Sequence, residues 1–95
     1  VEAFLDLHTE ISVLVARRAD GTSLAYPPSR NYHTQGVLTW AVTPSGVSDE
    51  MADRAESLAL RIAEALGIVG LLAVEMFILG DGQLLVNELA PRPHN

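Results

Sequence analysis

The chain has 95 residues, with 12 Asp and Glu against 6 basic residues, all of them Arg, a net charge of −6 and no cysteine. With 48% hydrophobic and 19% charged residues it has the composition of one globular domain, which excludes a disordered acidic tail. No apolar run is long enough to span a membrane, the absence of Cys excludes disulfide scaffolds and thiolate metal sites, and the acidic balance argues against a nucleic-acid partner.

The first residues, Val1-Glu2-Ala3-Phe4-Leu5, read as a strand. Glu10 to Arg17 is a β-branched run with Ile11, Val13 and Val15 in alternation, the pattern of a half-buried strand. Asp20-Gly21 signals a hairpin turn, and Thr22 to Tyr26 is its return strand. Pro27-Pro28 ends that strand, because proline has no N–H to give to a ladder. Ser29 to Gln35 reads as a polar loop. Val37 to Val42 is a further strand, closed by Thr43-Pro44-Ser45-Gly46. Ser48 to Gly67 has the signature of a helix. Ser48 can cap it, Asp49 and Glu50 suit the positive end of the dipole, and Gly67 is a left-handed stop. Met51, Ala55, Leu58, Ile62 and Leu66 form its apolar face, expected to pack on a sheet. Leu71 to Leu79, Asp81-Gly82 and Gln83 to Leu89 then read as a second hairpin. The order predicts an α+β fold, a mostly antiparallel sheet with one long helix on one face. Both ends have the look of cuts from a longer chain.

The second hairpin carries the sharpest chemical signal. With Asp81 and Gly82 as the two central turn residues, Glu75 falls opposite Glu88, on one face with Phe77, Leu79, Leu84 and Val86. Directly opposed like charges destabilise a sheet, so the pair asks for compensation. A divalent cation with oxygen ligands, Mg²⁺ or Mn²⁺, supplies it, and such ions usually fill their other positions with water and nucleotide phosphates. The alternatives are that one carboxyl is protonated, or that the register differs by a residue and the pair is solvated. Asn87 points to the opposite face of a regular strand; a bulge would bring it round. Arg92 and His94, set among prolines, suit an oxyanion or an exposed loop.

These pieces together resemble the ATP-grasp superfamily. The carriers are Val1–Asp6, Glu10-Ile11-Ser12-Val13, Tyr26-Pro27 with Asn31, His33 and Gly36-Val37-Leu38, then Gly70–Phe77 and Leu85-Val86-Asn87-Glu88-Leu89-Ala90-Pro91-Arg92-Pro93-His94-Asn95. They cover essentially the whole chain, in order. Many ATP-grasp enzymes have Asn two residues after the second metal Glu. Here that position is Ala90, a departure that favours the 5-(carboxyamino)imidazole ribonucleotide synthetase branch.

The resemblance implies roles residue by residue. Glu2, Ala3, Phe4 and Leu5 would line the adenine, and Glu10 would bind the ribose hydroxyls. His33 and Asn87 would belong to the nucleotide site. Glu75 and Glu88 would be the magnesium ligands, and Arg92, His94 and Asn95 would lie near the transferred phosphoryl group and substrate. It further implies that residues 1–95 are the C-terminal part of an ATP-grasp domain in a cytoplasmic, homodimeric ligase of purine biosynthesis. That enzyme carboxylates aminoimidazole ribonucleotide with ATP and bicarbonate through carboxyphosphate. The chain lacks the family's phosphate-binding Lys and glycine-rich loop, so these residues alone are expected to be inactive and to depend on the rest of the parent enzyme. The competing readings are a subdomain of another ATP-grasp carboxylase or carboxylate–amine ligase, and a non-catalytic α/β interaction module.

Overall fold

A computed structural model describes residues 9–34, 37–42 and 46–93. Among them are six strands, β1 (Thr9–Arg17), β2 (Ser23–Ala25), β3 (Ser29–Thr34), β4 (Val37–Val42), β5 (Gly70–Ile78) and β6 (Leu84–Pro93), and one helix, α1 (Asp49–Leu66). The strands form a single sheet in the order β4-β3-β1-β5-β6, with β2 also paired to β1. Every pairing is antiparallel. This is the α+β arrangement expected from the sequence. Residues 1–8, and with them the strand expected at Val1 to Leu5, lie outside the described residues, as do residues 43–45.

Alternation sets the two faces. Ile11, Val13 and Val15 of β1 and Leu72, Val74 and Met76 of β5 are buried, and their odd–even neighbours are only partly so. The buried six meet Ala55, Ala59 and Ala63 of α1 to make the core. Each large side chain taken fully from water stabilises the fold by about 1.5–3 kcal/mol. The helix seam differs from the expected one. Leu58 and Ile62 are half-buried against the core, Met51 is half-buried near the start of the helix, and Leu66 is 54% exposed. The centre of contact is an alanine stripe at i, i+4, i+8, where short side chains let the helix backbone come close to the sheet and push the larger residues to its flanks.

The helix ends behave as their residues dictate. Ser48 Oγ accepts from Met51 N–H at 3.1 Å, satisfying one orphan donor of the first turn. At the other end Gly67 has φ of 66°, and Gly67 and Ile68 donate to the Glu64 and Ala63 carbonyls, a Schellman closure that a residue with a Cβ enters only with strain. Arg17 Nη1 donates to the Ile68 carbonyl at 2.9 Å. The last turn has no basic residue of its own, so this guanidinium from β1 supplies the cation that the negative end of the dipole favours.

Three further expectations are corrected. Ser29 to Gln35 is a strand rather than a loop up to Thr34: β3 pairs with β1 on one side and β4 on the other. Pairing of Ser29 and Arg30 with β1 and of Arg30 to Thr34 with β4 makes a strand of a segment whose polar side chains argue for none. The second hairpin also has a different turn. Gly82 N–H donates to the Leu79 carbonyl and Leu79 N–H to the Gln83 carbonyl, both at 2.9 Å. The turn is therefore centred on Gly80-Asp81, with Gly82 (φ 89°) as the left-handed residue of a three-residue loop. The first hairpin repeats it: Gly21 N–H donates to Arg18 and Arg18 N–H to Thr22, with Gly21 at φ 93°. In both loops the Asp accepts from the N–H two residues on, Asp20 from Thr22 at 2.8 Å and Asp81 from Gln83 at 3.0 Å. Finally, β6 continues past the expected Leu89 to Pro93, with Pro91 opposite Leu72 and Pro93 opposite Gly70. These prolines occupy alternate positions of the strand that ends the sheet among the described residues. Their nitrogens must sit at the non-hydrogen-bonded pairs, facing away from β5.

Candidate functional site

The sheet face away from α1 is the open one, and the register assembles the acidic residues there. Glu10 lies opposite Phe77 and Ser12 opposite Glu75 across β1 and β5. Glu75 lies opposite Glu88 across β5 and β6. Directly paired residues share a face, and diagonal neighbours such as Glu10 and Glu75 are about 7–8 Å apart. Three carboxylates therefore occupy one patch. Glu75 is half-buried and Glu88 exposed.

The opposition of Glu75 and Glu88 agrees with the sequence-based expectation, but by a different route. Near the turn the pairs are Ile78–Leu84, Phe77–Leu85 and Met76–Val86, one residue off the expected register. A bulge then leaves Asn87 without a partner and restores Glu75–Glu88. The two offsets cancel. The faces of the turn-proximal residues change accordingly: Leu84 and Val86 pair with Ile78 and Met76 on the helix side, and Leu85 replaces Val86 opposite Phe77. Asn87 is the bulged residue and is exposed, so it is not held to the alternation of a regular strand.

The remaining predicted residues are partly in view. His33 lies in β3 opposite Leu38, where the β3–β4 register slips by one residue. Arg92 lies in β6 opposite Leu71. At that end of the sheet a cleft of about 720 Å³ is lined by Ala16, Arg17, Arg18, Leu24, Tyr26 and Leu71, among others. Glu2, Ala3, Phe4, Leu5, His94 and Asn95 lie outside the described residues. Two residues that carry the resemblance but are given no site role by the sequence, Ser12 and Asn31, also enter the patch. Asn31 Nδ2 donates to Ser12 Oγ at 2.7 Å, beside Glu75. The alternation Glu10, Ser12 carries a signal for the serine; Asn31 is hidden in a segment that reads as a loop.

The donor set fits a hard divalent cation. It is all oxygen, it is paired across one ladder, and its Glu88 is exposed, so that water and phosphate oxygens could complete a coordination sphere. Among the described residues no group of three or more His, Cys, Asp or Glu side chains converges as a self-sufficient metal site. A pair that needs an outside ligand matches magnesium, which usually keeps one or two carboxylates plus substrate phosphates.

Among the described residues the sheet thus carries a helix on one face and the carboxylate pair on the other. The chain belongs to the ATP-grasp family: the ATP-grasp domain model matches residues 1–95. Among its relatives, the N5-carboxyaminoimidazole ribonucleotide synthase of Bacillus subtilis (strain 168) is 42% identical over 95 residues, covering all of this chain and 25% of that protein. A crystal structure of an ADP complex of N5-carboxyaminoimidazole ribonucleotide synthetase superposes with a TM-score of 0.85 at 40% identity, over 92% of this chain and 23% of that one. The Aspergillus clavatus N5-carboxyaminoimidazole synthase in complex with ADP and 5-aminoimidazole ribonucleotide gives 0.77 at 28% identity, over 90% and 23%. The chain spans about a quarter of the length of the curated relative and of these structures.

Proposed function

We propose that this chain is the C-terminal part of the ATP-grasp domain of an N5-carboxyaminoimidazole ribonucleotide synthase, a carbon–nitrogen ligase of purine biosynthesis acting in the cytoplasm. In the proposed reaction ATP phosphorylates bicarbonate, releasing ADP. The carboxyl group of the resulting carboxyphosphate passes to the exocyclic amine of aminoimidazole ribonucleotide, with loss of phosphate and a proton. The observation that carries the reading is the Glu75–Glu88 pair on the face it shares with Glu10, in a chain whose relatives include structures with ADP and with 5-aminoimidazole ribonucleotide.

In this reading Glu75 and Glu88 hold Mg²⁺ or Mn²⁺, which when bound neutralises charge on the phosphates. Glu10 accepts hydrogen bonds from the ribose hydroxyls, as an ionised carboxylate can. The spacing from Glu10 to Glu75 then runs from ribose towards phosphate. Glu2, Ala3, Phe4 and Leu5 line the adenine, His33 and Asn87 complete the nucleotide site, and Arg92, His94 and Asn95 meet the transferred phosphoryl group and substrate. The phosphate-binding lysine comes from elsewhere in the enzyme, which functions as a homodimer.

The test is ADP formation by the intact protein. It should require aminoimidazole ribonucleotide and bicarbonate together, and Glu88→Gln should lower it sharply because an amide is a poorer magnesium ligand. ADP release indifferent to aminoimidazole ribonucleotide would overturn the substrate assignment.

A further inference from the structure

We propose that Ser12, held by Asn31, is a positioning residue for Glu75. The inference rests on the reading of Glu75 as a metal ligand. Ser12 stands directly across the β1–β5 ladder from Glu75, on the open face. From its other flank Asn31 Nδ2 donates to Ser12 Oγ at 2.7 Å, in a half-buried setting. A serine hydroxyl has two acceptor lone pairs and one proton. The bond from Asn31 occupies a lone pair and leaves the proton to be given elsewhere. The residues opposite Ser12 across its two ladders are Ser29 and Glu75, and only Glu75 is anionic. Hydrogen bonds to an ionised acceptor are about twice as strong as neutral ones. A carboxylate that also faces a second carboxylate, Glu88, gains further from a donor on its opposite side.

The structure carries the Asn31–Ser12 link; the Ser12–Glu75 link is the step added, made as the Glu75 carboxylate turns to its cation. Tying one oxygen of a carboxylate to a fixed hydroxyl sets the direction of the other, which is what a metal ligand requires. Asn31 belongs to β3 and Glu75 to β5, on either side of β1. The relay therefore fixes the ligand against three neighbouring strands instead of leaving it on a free rotamer.

The measurement is Mn²⁺ affinity of the intact protein with ADP present, read from loss of the free Mn²⁺ electron paramagnetic resonance signal, alongside ADP affinity without metal. Ser12→Ala should weaken Mn²⁺ binding about 10–100-fold, the range for loss of a partner behind a metal ligand, and leave metal-free ADP affinity unchanged. Ser12→Thr, which keeps the hydroxyl, should restore Mn²⁺ binding. Asn31→Ala should weaken it in the same direction, and carries the test if Ser12→Ala fails to fold. Glu75→Gln is the control for the underlying reading. If it binds Mn²⁺ like the unmodified protein, Glu75 is not a ligand and both ideas fall. If it loses Mn²⁺ while Ser12→Ala (or Asn31→Ala in its place) does not, the relay alone is wrong. Equal losses in Ser12→Ala and Ser12→Thr would also sink it, because packing rather than the hydroxyl would then be responsible.

Discussion

On the proposed reading, Glu88 would serve binding at the expense of folding. It sits opposite Glu75 in the ladder, where a like charge is unfavourable, and its exposure lets water and salt screen the repulsion. In metal-free protein, Glu88→Gln should therefore be neutral or stabilising by up to about 1 kcal/mol, with the gain shrinking at high salt. Urea unfolding at two salt concentrations reads this, and a clear loss of stability would refute it. A second carboxylate tests the turn geometry. Thr22 N–H donates to Asp20, and this bond, helped by the Thr22 side chain and the Arg17 charge, holds the Asp20 carboxyl below its ordinary value of 3.8. A group depressed on folding contributes stability that is present above its unfolded value, near 3.9, and is lost as pH falls through the lower folded value. An NMR titration should find the Asp20 midpoint below 3.8. A midpoint at or above it would mean that the turn is not held as described.

At the scale of elements, the alanine stripe makes a counterintuitive prediction. Ala59 is fully buried at the helix–sheet contact, so Ala59→Leu should overpack it and cost about 1–3 kcal/mol. Ile62 lies on the flank, half-buried, and Ile62→Ala should fall at or below the 2 kcal/mol that begins the range for fully buried sites. Thermal melts of the two variants give the order, and a larger loss from Ile62→Ala would restore the larger residues as the seam. The helix itself was legible because Ser48, Asp49 and Gly67 act locally; its roll was not, because that depends on what the sheet offers. β1 and β5 were legible by alternation. β3 is not, since Ser-Arg-Asn-Tyr-His-Thr lacks apolar alternation and is made a strand by pairing with β4, next in the chain, and at its start with β1, and the part Asn31 plays beside Ser12 is hidden with it. The Glu75–Glu88 pairing is legible despite the different turn, because the Asn87 bulge returns the residue that the three-residue loop takes.

As a whole molecule, the described fold is a sheet clothed by a helix on one side and bare on the other. The carboxylates sit on the bare side, and the sequence holds no lysine to meet a triphosphate. These 95 residues by themselves should show no carboxylation of aminoimidazole ribonucleotide above background, since charge neutralisation and positioning supply nearly all of phosphoryl-transfer catalysis. Measurable product from this segment alone would contradict that. The outer margin of the sheet has a separate consequence. With Pro91 and Pro93 on β6, alternate sites along that margin offer a carbonyl and no donor. A strand arriving from another molecule would find every second rung missing over the distal part of β6. Stacking into ordered aggregates is thus discouraged along the very strand that carries Glu88, so that residue can stay exposed without making its strand a template for runaway growth.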